Sequence, residues 1–109
     1  MATYTPKNLI GPAAALTSSV TAYVSPASTN GIIRTISAVA NTTSITLTVS
    51  LGADAAGTRF INAQPLTANQ VYTLNGWWVT AVNSAHAIDA TSNATGNNCI
   101  ASINGYEYA

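Results

Sequence analysis

With 109 residues, zero formal net charge and only 6% charged side chains, the chain falls far below the roughly one-quarter charged content of ordinary soluble domains. Its cations are Lys7, Arg34 and Arg59 and its anions Asp54, Asp89 and Glu107. Three scattered cations cannot neutralise a run of phosphates or hold an acidic bilayer, so neither nucleic acid nor a membrane surface is expected as a partner. The length suits one domain with one core.

Hydrophobic residues make up 48% of the chain, but alanine is so frequent among them that the apolar count overstates the core volume. A surface of Thr, Ser, Asn and Ala with little repelling charge is poorly protected against self-association. It suits a subunit that packs against copies of itself or against a larger assembly. Cys99 is the only cysteine, so no internal disulfide forms and no redox compartment is implied. No apolar run approaches the ~18 residues of a membrane-spanning helix. After Lys7 only Asn-Leu-Ile precedes Gly11-Pro12, so no signal peptide is expected and synthesis is assigned to a cytoplasm.

In chain order, residues 1–15 carry Pro6 and Pro12 without sustained alternation and read as an extended N-terminal arm. Such an arm covers its own sheet edge or lies across a neighbour. Residues 16–109 read as one β-domain. Thr17 to Val24 alternates loosely and ends at Ser25-Pro26. Gly31 to Leu51 is the most regular stretch. Ile45, Leu47, Val49 and Leu51 point one way and Thr46, Thr48 and Ser50 the other, the period of a half-buried strand. The β-branched run Ile32, Ile33, Thr35, Ile36 and Val39 precedes it, and Asn41-Thr42-Thr43-Ser44 has turn chemistry between them. The expectation is a central hairpin. A small-residue loop, Gly52 to Thr58, then leads to a short strand from Arg59 to Ala63, stopped by Pro65. Gln70 to Leu74 forms the next strand, Asn75-Gly76 a tight turn, and Trp77 to Val82 the strand that follows. Ala87 to Thr91 is a weaker strand, Thr91 to Asn98 a polar loop, and Cys99 to Tyr108 the closing strand. About eight short strands with regular turn signals predict an all-β fold, a single antiparallel β-sandwich or jelly-roll-like domain.

Chemical motifs are sparse. Asp54, Asp89 and Glu107 sit in unlike settings, with no spacing that suggests a carboxylate pair across a cleft. Asp54 reads as a solvated loop residue and Asp89 as the partner of an arginine. His86 and Cys99 could form a thiol–imidazole pair, but a turn histidine and a buried, hydrophobe-like cysteine is the stronger reading. One histidine and one cysteine fall short of the four ligands of structural zinc, and the Gly52–Gly57 loop offers one acidic oxygen where calcium takes several. No metal and no cofactor are expected. The triplets Asn41-Thr42-Thr43 and Asn93-Ala94-Thr95 match a glycosylation acceptor, at the frequency chance gives in so Asn-, Ser- and Thr-rich a chain.

Trp77-Trp78 is the most informative pair. Neighbours in a strand face opposite sides of a sheet, so one indole can enter the core while the other faces out. An outward Trp suits subunit packing first, or a sugar ring stacked on it; alternatively a bulge or turn lets both rings tuck in. Tyr106 and Tyr108 share one side of the last strand and extend the same aromatic surface, or pack in the core. The candidate interface residues are Tyr4, Pro6, Leu9, Ile10, Trp77, Trp78, Tyr106 and Tyr108.

The opening Tyr4-Thr5-Pro6-Lys7-Asn8-Leu9, the Gly31-Ile32-Ile33-Arg34-Thr35-Ile36 strand and the loop from Gly52 to Arg59 carry a resemblance. With Gly76-Trp77-Trp78-Val79 and the ending Ile103-Asn104-Gly105-Tyr106-Glu107, they resemble small virion proteins of tailed bacteriophages in style and order, over nearly the whole chain. The resemblance implies a non-enzymatic β-sandwich subunit: a capsid decoration (cement) protein, often trimeric, that clamps the major capsid or another virion protein, or a tail or fibre component. Its place would be the virion, after synthesis in the host cytoplasm. A tail or fibre component would recognise a host glycan through its exposed aromatics.

Overall fold

The computed structural model describes residues 4–15, 23–52, 57–93 and 98–109. Its strands are β1 (Tyr4–Ala14), β2 (Asn30–Ala40), β3 (Ile45–Leu51), β4 (Arg59–Leu66), β5 (Val71–Val79), β6 (Ile88–Ser92) and β7 (Cys99–Tyr108). They form two antiparallel sheets, one of four strands in the order β1-β7-β2-β5 and one of three in the order β4-β3-β6. The protein is an all-β, single-domain sandwich measuring 46 × 23 × 20 Å.

The predicted hairpin does not form. Both of its strands exist, but β2 pairs with β5 and β7 while β3 pairs with β4 and β6. Residues 41–44 are an arch from one sheet to the other. The Asn41 amide donates to the Asn98 carbonyl (2.9 Å), and the Asn41 carbonyl accepts from the Asn69 amide (2.7 Å). Those bonds satisfy the backbone through neighbouring loops, where a hairpin would have closed on itself. Alternation reports that a strand is half-buried and says nothing of its pairing partner.

Two other expectations are corrected. Asn75-Gly76 does not turn; β5 continues through it along β2, with one extra residue on β5 between Asn75 and Trp78 where the register shifts. And β4 continues through Pro65 to Leu66, because β4 is a sheet edge, where proline's missing N–H leaves no ladder bond unmade. A bulge within β4 has Ala63 at φ 51°, its amide donating to the Thr48 hydroxyl at 3.0 Å. The predicted strand from Thr17 to Val24 lies mostly outside the described residues, as does the Asp54 loop; Tyr23 makes a single antiparallel bridge to Ile88.

Most of the segment expected as an arm is β1, laid along its own sheet edge against β7. Two register shifts break that pairing. One puts both Leu9 and Ile10 into the core, and the other falls where Gly11 and Pro12 stand exposed. Prolines and bulges are common devices for keeping an edge strand from pairing further.

Between the sheets lies one core. Ile33, Ile36 and Ile103 of the larger sheet meet Leu47, Leu66 and Ile88 of the smaller, all fully buried. Each contributes about 1.5–3 kcal/mol relative to exposure. Ala38, Ala40, Ala90 and Ala101 fill the narrower parts. The alanine richness noted in the sequence is thus partly a feature of the core.

Candidate functional site

The two outer faces differ. On the smaller sheet the outward positions are Thr46, Thr48 and Ser50 of β3, with Asp89 and Thr91 of β6 and Arg59 of β4 opposite them. These positions are hydroxylic and charged, with Ser50 and Asp89 buried. The outer face of the four-stranded sheet is banded across its strands, and the register defines the bands.

At one end Tyr4 pairs with Tyr108, and Pro6, Tyr106, Ile32 and Val79 fall in one row. Tyr4 rests on Tyr108 with ring centroids 4.8 Å apart and meets Tyr106 edge-on at 6.4 Å. Trp77 stands beside this row, 55% exposed. In the middle Asn8, Asn104, Thr35 and Asn75 form a row of amides with one hydroxyl, followed by Ser102, Ser37 and Thr73. At the far end lie Ala14, Ile100, Val39 and Val71, the last 65% exposed. Ile32 points outward yet is only 4% exposed and lies apart from the core cluster. It is sealed by its neighbours on the face itself.

A bulge sets Trp77 in place. The register of β2 shifts between Ile33 and Thr35 on both sides, leaving Arg34 without a ladder partner. Its Nε donates to the Gly76 carbonyl at 3.0 Å, and its guanidinium lies 4.8 Å from the centre of the Trp77 ring. A cation over an indole is attractive and fixes the ring's orientation. Two glycines make the bulge possible. A Cβ on Gly105 would sit 1.8 Å from the Ile32 carbonyl oxygen, and one on Gly76 would sit 2.4 Å from the Trp78 ring. Trp78 faces inward, lies across Gly76 and packs on Phe60 with centroids 5.0 Å apart. The strand rule therefore separates the two indoles: Trp78 turns inward, half-buried against the core, and Trp77 outward to the surface.

Of the eight candidate interface residues, Tyr4, Pro6, Tyr106, Tyr108 and Trp77 come together on this face. Leu9, Ile10 and Trp78 do not; the first two are core residues and the third packs against the core. Sequence reasoning passed over Arg34, Ile32, Val71 and Val79. The alternation of Val71, Thr73, Asn75, Trp77 and Val79 could have pointed to the last strand face, had Asn75-Gly76 not been read as a turn.

Behind the tyrosines, Glu107 accepts the Tyr23 hydroxyl at 2.6 Å and lies 3.3 Å from the Lys7 ammonium. Burial, reinforced by the carboxylate it bonds, pushes the Tyr23 phenol well above its ordinary range. The three groups tie β1, β7 and the segment before β2 together under the aromatic end. Elsewhere, the exposed His86 faces Asp89 at 3.4 Å. Cys99 is fully buried, and that burial raises its thiol pKa against a smaller opposing effect of its bond to Ser92. The reactive pair considered from sequence is therefore one solvent-facing imidazole and one enclosed thiol.

No family model, curated protein or solved structure matches the chain. Its own surface chemistry has to carry the functional reading.

Proposed function

We propose that the protein is a non-enzymatic structural subunit of a tailed-phage virion, a capsid decoration (cement) protein that stabilises the head by packing against its own copies and against the major capsid protein. One observation supports this most: an exposed indole, three clustered tyrosines and outward valines share one sheet face on which Arg34 is the single charged side chain among the described residues. Large apolar side chains left wet are unfavourable, and Trp, Tyr and Arg are the residues that dominate binding at protein interfaces. Trp77 is the anchor in this reading, and β1 serves as the rim of the docking face.

A tail or fibre subunit holding a host glycan on the same aromatics is the second reading. The Arg34 guanidinium over the Trp77 ring leaves a sugar only the opposite side of the indole, which favours protein packing over stacking on a sugar.

The test is reconstitution. Phage particles lacking the chain are mixed with the purified protein or its Trp77→Ala and Tyr106→Ala variants, and bound protein is measured after sedimentation. Binding of the wild type to heads and its loss in the variants is expected. Binding to tails alone, or equal binding by both variants, would overturn the head-decoration reading. A glycan array with the Trp77→Ala protein as control addresses the second.

A further inference from the structure

The banding of the outer face has a property that a surface built for an unrelated partner would not need: it is complementary to itself. We infer that two copies of the chain pack through this face, related by a two-fold axis that lies in the interface and runs across the strands, along the polar middle. This rests on the reading above that the face is an assembly surface, and adds what first covers it.

Rotation about such an axis keeps each strand over its own counterpart and exchanges the two ends. On β2, Thr35 then faces Ser37 of the second copy, and Ile32 faces Val39. On β5, Asn75 faces Thr73 and Trp77 faces Val71; on β7, Asn104 faces Ser102 and Tyr106 faces Ile100. The amide row of one copy thus meets the hydroxyl row of the other, and the bulky aromatic end meets the end made of Ala14, Val39, Ile100 and Val71. Amides and hydroxyls each donate and accept, so the rows can satisfy one another in either direction. Asn8, Asn104, Ser37, Ser102 and Thr73 make no side-chain hydrogen bond among the described residues, while the Thr35 hydroxyl donates to the Asn75 side-chain amide oxygen. Large side chains opposite small ones are what interdigitation requires.

Charge and size agree. Arg34 is the one charged side chain of the face among the described residues, and it already has the Gly76 carbonyl and the Trp77 ring as partners. The two copies approach without like-charge opposition beyond that pair. Four strands at ~4.8 Å spacing, over the seven steps from Ile32 to Val39 at ~3.3 Å each, give about 450 Å² in flat projection. Rings standing above the sheet raise the buried accessible area toward the ~600 Å² per partner at the lower end of specific interfaces. Aligned sheet packing near −30° accommodates the twist of both copies. The arrangement is isologous and closes at two, unlike the trimer that the phage resemblance implies.

Sedimentation equilibrium of the purified full chain, with Ser37→Glu, Ser37→Ala and Thr46→Glu variants, tests this. Ser37→Glu places two carboxylates beside the axis in the dimer and at a half-buried, outward position of β2 in a monomer; circular dichroism verifies that folding is spared. Wild type, Ser37→Ala and Thr46→Glu, the last on the opposite sheet, are expected as dimers at micromolar to tens of micromolar concentration. Ser37→Glu is expected to weaken the dimer at least 100-fold. A short thiol cross-linker is expected to join Ser37→Cys chains in pairs and to leave Thr46→Cys chains single. A wild-type monomer throughout, a trimer, or a dimer indifferent to Ser37→Glu would each overturn the inference. None of these results bears on whether the chain binds heads, which the reconstitution measures separately.

Discussion

Gly105→Ala removes the ground on which the candidate surface stands. The added Cβ would lie 1.8 Å from the Ile32 carbonyl oxygen and 3.2 Å from the Arg34 amide, whereas real Cβ atoms keep at least 3.0 Å. Two central strands must therefore part by more than 1 Å, at the point where β2 carries its bulge. Neither atom is the end of a flexible side chain, so no rotamer change relieves the overlap. Overpacking typically costs about 1–3 kcal/mol; with backbone on both sides and ladder bonds of β2–β7 at stake, about 3–5 kcal/mol is expected, in the range reserved for severe lesions. Against a total of about 5–15 kcal/mol, much of the protein's stability disappears. Urea unfolding followed by tryptophan fluorescence and circular dichroism measures the loss, and thermal unfolding should show a fall in melting temperature of about 15 °C or more. A variant within about 1 kcal/mol of wild type would show that the bulge does not bring the two strands this close, and would remove the reason given for the position of Arg34 and Trp77.

Trp78→Ala should cost about 2–4 kcal/mol by leaving a cavity beside Phe60 and uncovering Gly76, whereas Trp77→Ala should change folding stability by no more than about 0.5 kcal/mol; paired denaturation curves check the contrast. Cys99 should resist a thiol reagent in the native protein and react within the dead time of mixing in denaturant, since its thiol is buried and held neutral; fast native labelling would contradict its placement. Stability should fall at alkaline pH. Tyr23 and Cys99 both have folded-state pKa values raised above their unfolded values, so their contribution is complete below the ordinary thiol and phenol values, about 8.5 and 10. It is lost as pH rises beyond them, at no more than about 1.4 kcal/mol per pH unit for each group. Tyr23→Phe should flatten the upper part of that profile in urea titrations at pH 7 to 11; an unchanged slope would count against the Tyr23–Glu107 bond.

The sandwich was legible because apolar alternation at Ile45–Leu51 and Cys99–Tyr108 survives without knowing the partners of those strands. Pairing was not legible. The hairpin expected at Asn41–Ser44 rested on turn-forming side chains, and the same side chains serve an arch equally well when loop carbonyls and amides stand nearby. Asn75-Gly76 misled for a related reason. Glycine there makes room for the Trp78 ring rather than for a turn, a tertiary demand invisible to local propensity. On the surface, alternation offered the parting of the adjacent tryptophans that the structure has, beside the alternative that both tuck in. It could not say which would face outward, because that depends on which side of β5 meets the second sheet. Leu9 and Ile10 read as an arm because a bulge that turns two neighbours the same way breaks the period used to recognise a strand. The bands across the outer face were hidden altogether, since each row draws one residue from each of several strands far apart in the chain.

The most direct measurement is hydroxyl-radical footprinting of Trp77 in intact phage particles and in the free chain diluted to monomer. If the protein is a virion subunit whose aromatic sheet face is covered in the assembly, Trp77 is oxidised readily when free and is several-fold protected in the particle, with Trp78 protected in both. Particles that lack the chain, or that leave Trp77 as reactive as it is in the free protein, would contradict that assignment.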